Sequence, residues 1–217
     1  MKIFSVILAA LVLILLTCGI GTVTGSSALD YTLKIYGNAN MDEDINDQDI
    51  AYIKDIIAGT KEKTEYSDAN YDGNIDEADL LQVQSIIDGT ESFIIIKDSN
   101  DRVKSLPYPI QKIVSLFPTM AEPIQAMGAS DKVIAIDDET AKQKVLLPNL
   151  SSLPSVGKRA EPDLEELIRL DPDFVVTLAM KDEEIKKIED TGIPVIIMSY
   201  GTNDVLDTSF ASGMQES

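Results

Sequence analysis

The chain has 217 residues, a formal net charge of −19 and no histidine. The negative charge argues against nucleic acid and anionic membranes as partners, because both repel an acidic protein. The lack of histidine excludes Ser-His-Asp and Cys-His catalysis, histidine-ligated zinc and haem held by a proximal histidine. A hydrolase built on two carboxylates stays formally open, but abundant Asp and Glu are poor evidence for one. We therefore expect a protein that is not an enzyme.

The first 28 residues have the pattern of an export signal. Lys2 precedes an apolar run over residues 3–16, and small residues lead to a cleavage-type sequence at 26–28. The expected location is extracellular or on the cell surface. An uncleaved membrane anchor is the alternative, because the apolar run nearly reaches spanning length. A lipoprotein cleaved before Cys18 is less favoured, because Thr17 is bulky for that position.

Two segments, 38–60 and 68–90, are copies of one another and agree at nine of 23 positions. Each opens with a twelve-residue loop that has Asp or Asn at positions 1, 3, 5 and 12 and Ile at position 8. This spacing suits Ca²⁺, a hard cation that takes six to eight oxygen ligands from alternate residues of a tight loop. We call residues 38–49 loop one and residues 68–79 loop two.

Each loop is followed by a short amphipathic segment that predicts a helix, over 50–58 and 80–88. Gly59 and Gly89 are expected to end these helices. Nothing helical precedes loop one, since residues 31–36 alternate like a strand.

This duplicated loop-helix arrangement across residues 36–91 resembles a type I dockerin, a small all-α module that folds around two Ca²⁺ ions and docks a cohesin. The resemblance implies a calcium module over residues 31–91 and a cohesin-like partner. The implied ligands in loop one are Asn38, Asn40, Asp42, the Asp44 carbonyl and Asp49; those in loop two are Asp68, Asn70, Asp72, the Asn74 carbonyl and Asp79.

Loop one departs from the pattern at two positions. Position 1 is the neutral Asn38, and position 6 is Glu43 where loop two has Gly73. A sharp turn at position 6 favours a residue that tolerates a positive φ. Loop two is therefore predicted to be the more secure calcium site.

The second half of the chain predicts an α/β lobe over residues 93–207. A β-hairpin is expected from residues 93–97 and 102–106, closed by Pro107 and Pro109. Short apolar strands alternate with helices after it, which favours a mostly parallel sheet. The strands are predicted at 112–116, 132–136, 174–178 and 194–198, and the helices at 119–127, 162–170 and 182–191.

These residues resemble the N-terminal lobe of the siderophore and cobalamin solute-binding proteins of ABC importers. The resemblance rests on the order and spacing of five pieces: 112–119, 126–133, 154–157, 162–176 and 191–195. It implies a metal-chelate ligand held between two lobes and delivered to a permease. It also implies that Lys158 and Arg159 face an anionic chelate and that Glu165 docks on the permease. The alternative for both basic residues is that they are ordinary surface residues. The alternative for Glu165 is that it is an ordinary acidic residue favoured near a helix N-terminus.

Ligands of open parallel sheets bind beyond the carboxyl ends of the strands. Phe117 and Tyr200 follow two of the predicted strands and could offer aromatic faces to a large ligand, or pack at the rim of the lobe.

The resemblance needs a connecting helix and a second lobe after Tyr200, whereas residues 208–217 are small, polar and patternless. The interpretation is a fragment, a broken gene or a lobe with another purpose. Two functions follow: an exported chelate-binding component of an ABC importer with a Ca²⁺-dependent docking module, or a surface interaction protein that binds a cohesin while its lobe binds no ligand.

Overall fold

The computed structural model describes residues 32–178 and 180–198. The signal segment and residues 199–217 lie outside this range, and so does the predicted ligand residue Tyr200. Within the described residues, no helix is both long and apolar enough to cross a membrane.

The first two helices follow the two loops. Helix α1 is Asp47–Ile57 and helix α2 is Glu77–Asp88. Both begin three residues earlier than the apolar pattern predicts, because the residues before them are strong N-caps. The side chains of Asn46 and Asp76 accept hydrogen bonds from the N–H groups of Gln48 and Ala78, both at 2.8 Å. Polar capping residues therefore extended each helix beyond its hydrophobic face.

The two helices end as the glycines predict. Helix α1 has Ala58 as its C-cap and Gly59 follows with φ of 73°, while Gly89 caps α2 with φ of 65°. A left-handed backbone at a helix end carries little strain only when the residue lacks a Cβ.

A β-hairpin comes next, with β1 at Phe93–Lys97 and β2 at Val103–Pro107. The strands are antiparallel, with Phe93 opposite Pro107 and Lys97 opposite Val103. The predicted strand before loop one is reduced, among residues 32–36, to a single bridge between Ile35 and Ile96. It lies beside the hairpin as a partial third strand.

The rest of the described chain forms the α/β lobe around a four-stranded sheet. Its strands lie side by side in the order 133–136, 113–115, 174–177 and 195–197, with every neighbouring pair parallel. This confirms the predicted α/β lobe with a parallel sheet. In chain order the elements are β3 Ile113–Ser115, α3 Pro118–Ala126, a 3-10 turn Ser130–Lys132, β4 Val133–Ile136, α4 Asp138–Ala141, β5 Gly157–Lys158, β6 Glu161–Pro162, α5 Leu164–Leu170, β7 Phe174–Thr177, α6 Asp182–Glu189 and β8 Val195–Ile197.

The start of a third helix was also predicted wrongly. Pro162 pairs with Gly157 in the small β5–β6 hairpin, and α5 starts only after Asp163. The Asp163 side chain accepts the N–H of Glu166 at 3.0 Å and so caps the helix. Proline at the predicted first helical position was a misleading signal here.

The core is continuous across the two halves of the described chain. One cluster of buried side chains includes Ile53 of α1, Val83 of α2, Ile96 of β1 and Ile113 of β3. A second cluster on the other face of the sheet packs Val114 and Val175 against helices α5 and α6. The loop-helix pair is therefore packed onto the lobe through the hairpin.

Candidate functional site

The two loops fold with the same hydrogen bonds at position 12. Asp49 is fully buried and accepts the N–H groups of Asn40 at 3.2 Å and Asn46 at 2.8 Å. Asp79 is equally buried and accepts the N–H groups of Asn70 and Asp76 at the same two distances. In both loops the last predicted ligand thus turns back onto the loop from the first turn of its helix.

Positions 3 and 5 also match. Asn40 Oδ1 accepts the N–H of Asp42 at 3.0 Å, and Asp42 Oδ1 accepts the N–H of Asp44 at 2.8 Å. The equivalent bonds in loop two, from Asp72 N–H to Asn70 and from Asn74 N–H to Asp72, have the same lengths. The duplication in sequence is therefore a duplication in structure.

The loops differ at position 1. Asp68 in loop two accepts the N–H groups of Asp72 at 3.0 Å and Gly73 at 2.8 Å. Asn38 in loop one is fully buried, and its Nδ2 donates to the carbonyl oxygens of Leu33 and Asp42, both at 2.7 Å. Its Oδ1 has no hydrogen-bond partner among the described residues. A buried oxygen without a donor is costly in the absence of a cation.

Position 6 differs as well. Gly73 has φ of 93°, which suits a glycine, whereas Glu43 does not enter the left-handed region. Loop one therefore makes its turn without the backbone conformation that loop two uses. At position 4 the two loops agree, since Met41 and Tyr71 both take a positive φ, of 62° and 58°.

Burial changes the acidity of the loop carboxylates. It raises the pKa of Asp49 to about 6 and raises the pKa of Asp79 as well, because the charged form loses hydration. The N–H of Asn74 donates to Asp72 and lowers the pKa of that exposed carboxyl. Each loop thus combines a buried acid that resists ionisation with polar oxygens nearer the solvent.

The described residues contain no group of three or more Asp, Glu, His or Cys side chains arranged to hold a metal ion. A cation in either loop would therefore need Asn amide and backbone carbonyl oxygens in addition to carboxylates. Ca²⁺ accepts such mixed oxygen sets.

An open pocket of about 590 Å³ lies beside loop two. Its walls include the rings of Tyr36 and Tyr71, whose centroids are 4.7 Å apart at an angle of 71°. Tyr66 meets Tyr36 edge to face at 5.4 Å, and burial raises the pKa of both hydroxyls to about 12. The sequence pattern did not predict this pocket, because its walls come from the segment before loop one, from α1 and the linker after it, and from loop two.

The carboxyl edge of the sheet brings together two of the four predicted ligand residues. Phe117 follows β3, and the guanidinium of Arg159 lies 4.8 Å from the centroid of its ring. Such a cation over an aromatic face is favourable. Lys158 is exposed on β5. Asp137, at the end of β4, caps α4 by accepting the N–H of Thr140 at 3.0 Å, which uses one of its carboxylate oxygens.

Glu165 lies in the first turn of α5 with its side chain exposed. The next residue, Glu166, forms an ion pair with Arg169 at 2.5 Å. The carboxylate of Glu165 takes part in no ion pair of the described chain.

Comparison with known proteins finds similarity over the lobe. Residues 113–213 match the family model described as periplasmic binding protein. The chain is 29% identical over 103 residues to the vitamin B12-binding protein of Vibrio campbellii, an alignment that covers 46% of this chain and 36% of the relative. It is 30% identical over 117 residues to the molybdate-binding protein MolA of Haemophilus influenzae, which covers 51% and 33%.

Solved structures also align with part of the chain. MolA bound to molybdate aligns with 48% of this chain and 34% of its own, with a TM-score of 0.44 and 29% identity. The haem-binding protein HmuT aligns over the same shares with a TM-score of 0.40 and 20% identity. The chain spans about a third of the length of the curated relatives it matches. The paired loops lie outside the residues that the family model covers.

Proposed function

We propose that the chain is an exported solute-binding component of an ABC importer for a metal chelate of the siderophore or cobalamin class, with a Ca²⁺-dependent docking module at its N-terminal side. The match of residues 113–213 to the periplasmic binding protein family carries this proposal. Solute-binding proteins bind and deliver a ligand without transforming it, which agrees with the non-enzymatic prediction. The leader-type sequence and the match to the periplasmic binding protein family support export.

The proposed ligand surface is the carboxyl edge of the sheet. Phe117 offers an aromatic face and Arg159 a half-buried cation beside it, with Lys158 and Tyr200 as further contacts. An anionic or strongly polar chelate would bind a guanidinium in such a position through charge-assisted hydrogen bonds. Glu165 is proposed to contact a basic residue of the permease, since its carboxylate is exposed and lacks an ion pair within the described chain.

Two Ca²⁺ ions are proposed in the loops, one in each. The fit rests on the oxygen-rich side chains at positions 1, 3, 5 and 12 and on the buried Oδ1 of Asn38, which lacks a donor. A bound Ca²⁺ would neutralise Asp49 and Asp79, whose burial disfavours the charged form. The loop-helix pair is proposed as a dockerin-like module with a cohesin-like partner.

Calorimetric titration of the whole chain with cobalamin, a ferric siderophore and molybdate tests the ligand. For the chelate that binds, Arg159→Ala is expected to weaken affinity about tenfold or more, because charge-assisted hydrogen bonds contribute about 1.5–3 kcal/mol. Arg169→Ala is the matched control, since Arg169 lies on α5 and pairs with Glu166 at the surface. Equal loss in both variants, or no binding of any ligand, would count against this ligand surface.

A second candidate function is a surface interaction protein that binds a cohesin while the lobe binds no ligand. Large apolar side chains on the loop-helix pair favour it: Ile57 of α1 is 46% exposed and Leu81 of α2 is 69% exposed. Cohesin binding that requires Ca²⁺, together with the absence of chelate binding by the same preparation, would favour this function over transport.

A further inference from the structure

Loop one is tied by its backbone to the segment that precedes it. The N–H of Leu33 donates to the carbonyl of Asp42 at 2.8 Å, and Asn38 Nδ2 bridges the carbonyls of the same two residues. The hydroxyl of Thr32 adds a bond to the carbonyl of Met41 at 2.9 Å. Two predicted calcium ligands, Asn38 and Asp42, thus hold the segment 32–36 in place.

The same segment is hydrogen-bonded to the hairpin of the second half. The N–H of Tyr36 donates to the carbonyl of Ile95 at 2.9 Å, and the N–H of Lys97 donates to the carbonyl of Lys34 at 3.0 Å. The Lys97 ammonium also pairs with Glu65, in the linker between the loops, at 2.6 Å. Loop one and β1 are therefore connected through the segment 32–36.

The hairpin is in turn fastened to the outer edge of the parallel sheet. Its turn donates from the N–H of Ser99 to the carbonyl of Ile197 at 3.0 Å, and Asp98 accepts the N–H of Ile197 at 3.2 Å. The guanidinium of Arg102 binds the Asp98 carboxylate at 2.6 Å and the carbonyl of Val195 at 2.7 Å. The edge strand β8 is thereby bonded to the hairpin.

Side-chain packing follows the same path. Leu33, Ile35, Ile94 and Leu106 are buried in the cluster that also contains Ile113 of β3 and residues of both loop-following helices. Opening any one of these segments would expose apolar side chains of the core that it shares with the others, so these parts are expected to unfold together.

We propose that Ca²⁺ binding in loop one stabilises the α/β lobe, by holding the segment 32–36 and the hairpin against the edge of the parallel sheet. The inference rests on the proposed calcium binding and extends it to the lobe. A ligand that binds only the folded state lowers the population of every opening that disrupts its site. Openings of the lobe that release the hairpin disrupt loop one, and they become rarer when Ca²⁺ is bound.

Hydrogen exchange of the whole chain, read by mass spectrometry in EDTA and in Ca²⁺, tests this coupling. Peptides that cover β3 and β7 are expected to exchange about tenfold more slowly when free Ca²⁺ is about ten times its dissociation constant. The Asp42→Ala variant should lose the part of this slowing that loop one contributes. Asp47→Ala is the matched control, because Asp47 is an exposed acid of the first helical turn outside the ligand set.

Calorimetric Ca²⁺ titration of the same samples separates the possible failures. Slower exchange confined to residues 38–88, with Ca²⁺ bound, would overturn the coupling and leave the calcium site intact. No heat of binding and no change in exchange anywhere would overturn both the coupling and the proposed calcium site. If hydrogen exchange in β3 and β7 is slowed by Ca²⁺ as much in Asp42→Ala as in the parent protein, loop one is excluded as the source of the slowing.

Discussion

Asn38 combines two roles that an aspartate could not combine. Its Nδ2 holds the carbonyls of Leu33 and Asp42, while its buried Oδ1 is available to a cation. Asp68, its counterpart in loop two, instead accepts two backbone N–H groups of its own loop. The neutral residue at position 1 therefore serves the attachment of loop one to the preceding segment, in addition to its proposed role as a calcium ligand.

The Asn38→Asp substitution tests this division. In EDTA it is expected to destabilise the protein by about 1–3 kcal/mol, because the carbonyls of Leu33 and Asp42 each lose one of their two donors and a buried charge is added. With Ca²⁺ the added charge should tighten binding in loop one. Urea unfolding and calorimetry measure the two effects, with Asp68→Asn as the reciprocal control. A variant as stable as the parent in EDTA would contradict the role of the amide.

The raised pKa of Asp49 predicts a pH dependence of calcium binding. Its pKa of about 6 in the folded protein exceeds the ordinary value of 3.8, so the folded state holds this proton more tightly than the unfolded state. The contribution of Asp49 to the stability of the Ca²⁺-free protein is fully present at pH values below the ordinary pKa of 3.8. It is lost as the pH rises through about 6.

Ca²⁺ competes with that proton, so affinity is expected to fall as pH drops below about 6. Titrations at about pH 7 and about pH 5 measure the loss, and Asp49→Asn should reduce affinity while flattening the dependence. An affinity that is the same at both values would rule out competition by a buried acid.

At the scale of elements, the loop-helix unit is used twice with nearly the same bonds and one changed turn. Gly73 takes a left-handed φ that Glu43 does not take. Three side-chain carboxylates are among the predicted ligands of loop two, whereas loop one has two. More charge and a turn suited to its residue should make loop two the tighter site.

The two loops can be compared by paired substitutions. Asp72→Ala is expected to reduce calcium affinity more than Asp42→Ala, because it removes a ligand from the stronger loop. Calorimetry resolves the two sites if their affinities differ by about tenfold, a difference of about 1.4 kcal/mol. Equal losses in the two variants would contradict the ranking of the loops.

The helices and strands illustrate what local sequence specifies. The hairpin and the four strands of the parallel sheet were predicted to within a residue or two, since short apolar runs between turn residues have few other interpretations, whereas the short strands β5 and β6 were not predicted. Helix starts were less accurate: Asn46 and Asp76 extended α1 and α2, and Pro162 entered a hairpin. Caps compete with the hydrophobic pattern at a boundary, and the tertiary environment decides between them.

At the scale of the whole molecule, an ion pair within the hairpin, Asp98–Arg102, fastens the hairpin to the edge of the parallel sheet. The Asp98 carboxylate is fully buried, and Arg102 is 25% exposed where the hairpin meets β8. Glu189 of α6 also pairs with Arg102, at 3.4 Å, and with Lys104, at 2.7 Å. The hairpin is therefore held to the lobe by charges as well as by backbone hydrogen bonds.

Removal of the Arg102 guanidinium is expected to lower the stability of the folded protein. Arg102→Ala is expected to destabilise the protein by about 3–5 kcal/mol, because Asp98 stays buried and loses its counter-charge. The control Arg169→Ala removes a surface pair and should cost about 1 kcal/mol or less. Urea unfolding followed by circular dichroism measures both. Similar losses in the two variants would show that the hairpin contact contributes little to stability.

The sequence by itself determined the paired oxygen loops, the glycines that end their helices and the alternating elements of the lobe, because each depends on neighbours within a few residues. Only the tertiary structure decided that Arg159 lies over Phe117, that three tyrosines meet beside loop two, and that the two halves share one core. Those contacts join residues far apart in the chain, and no local pattern encodes which distant surface will cover an apolar face. The connection from the calcium loops to the sheet is for that reason a property of the folded molecule.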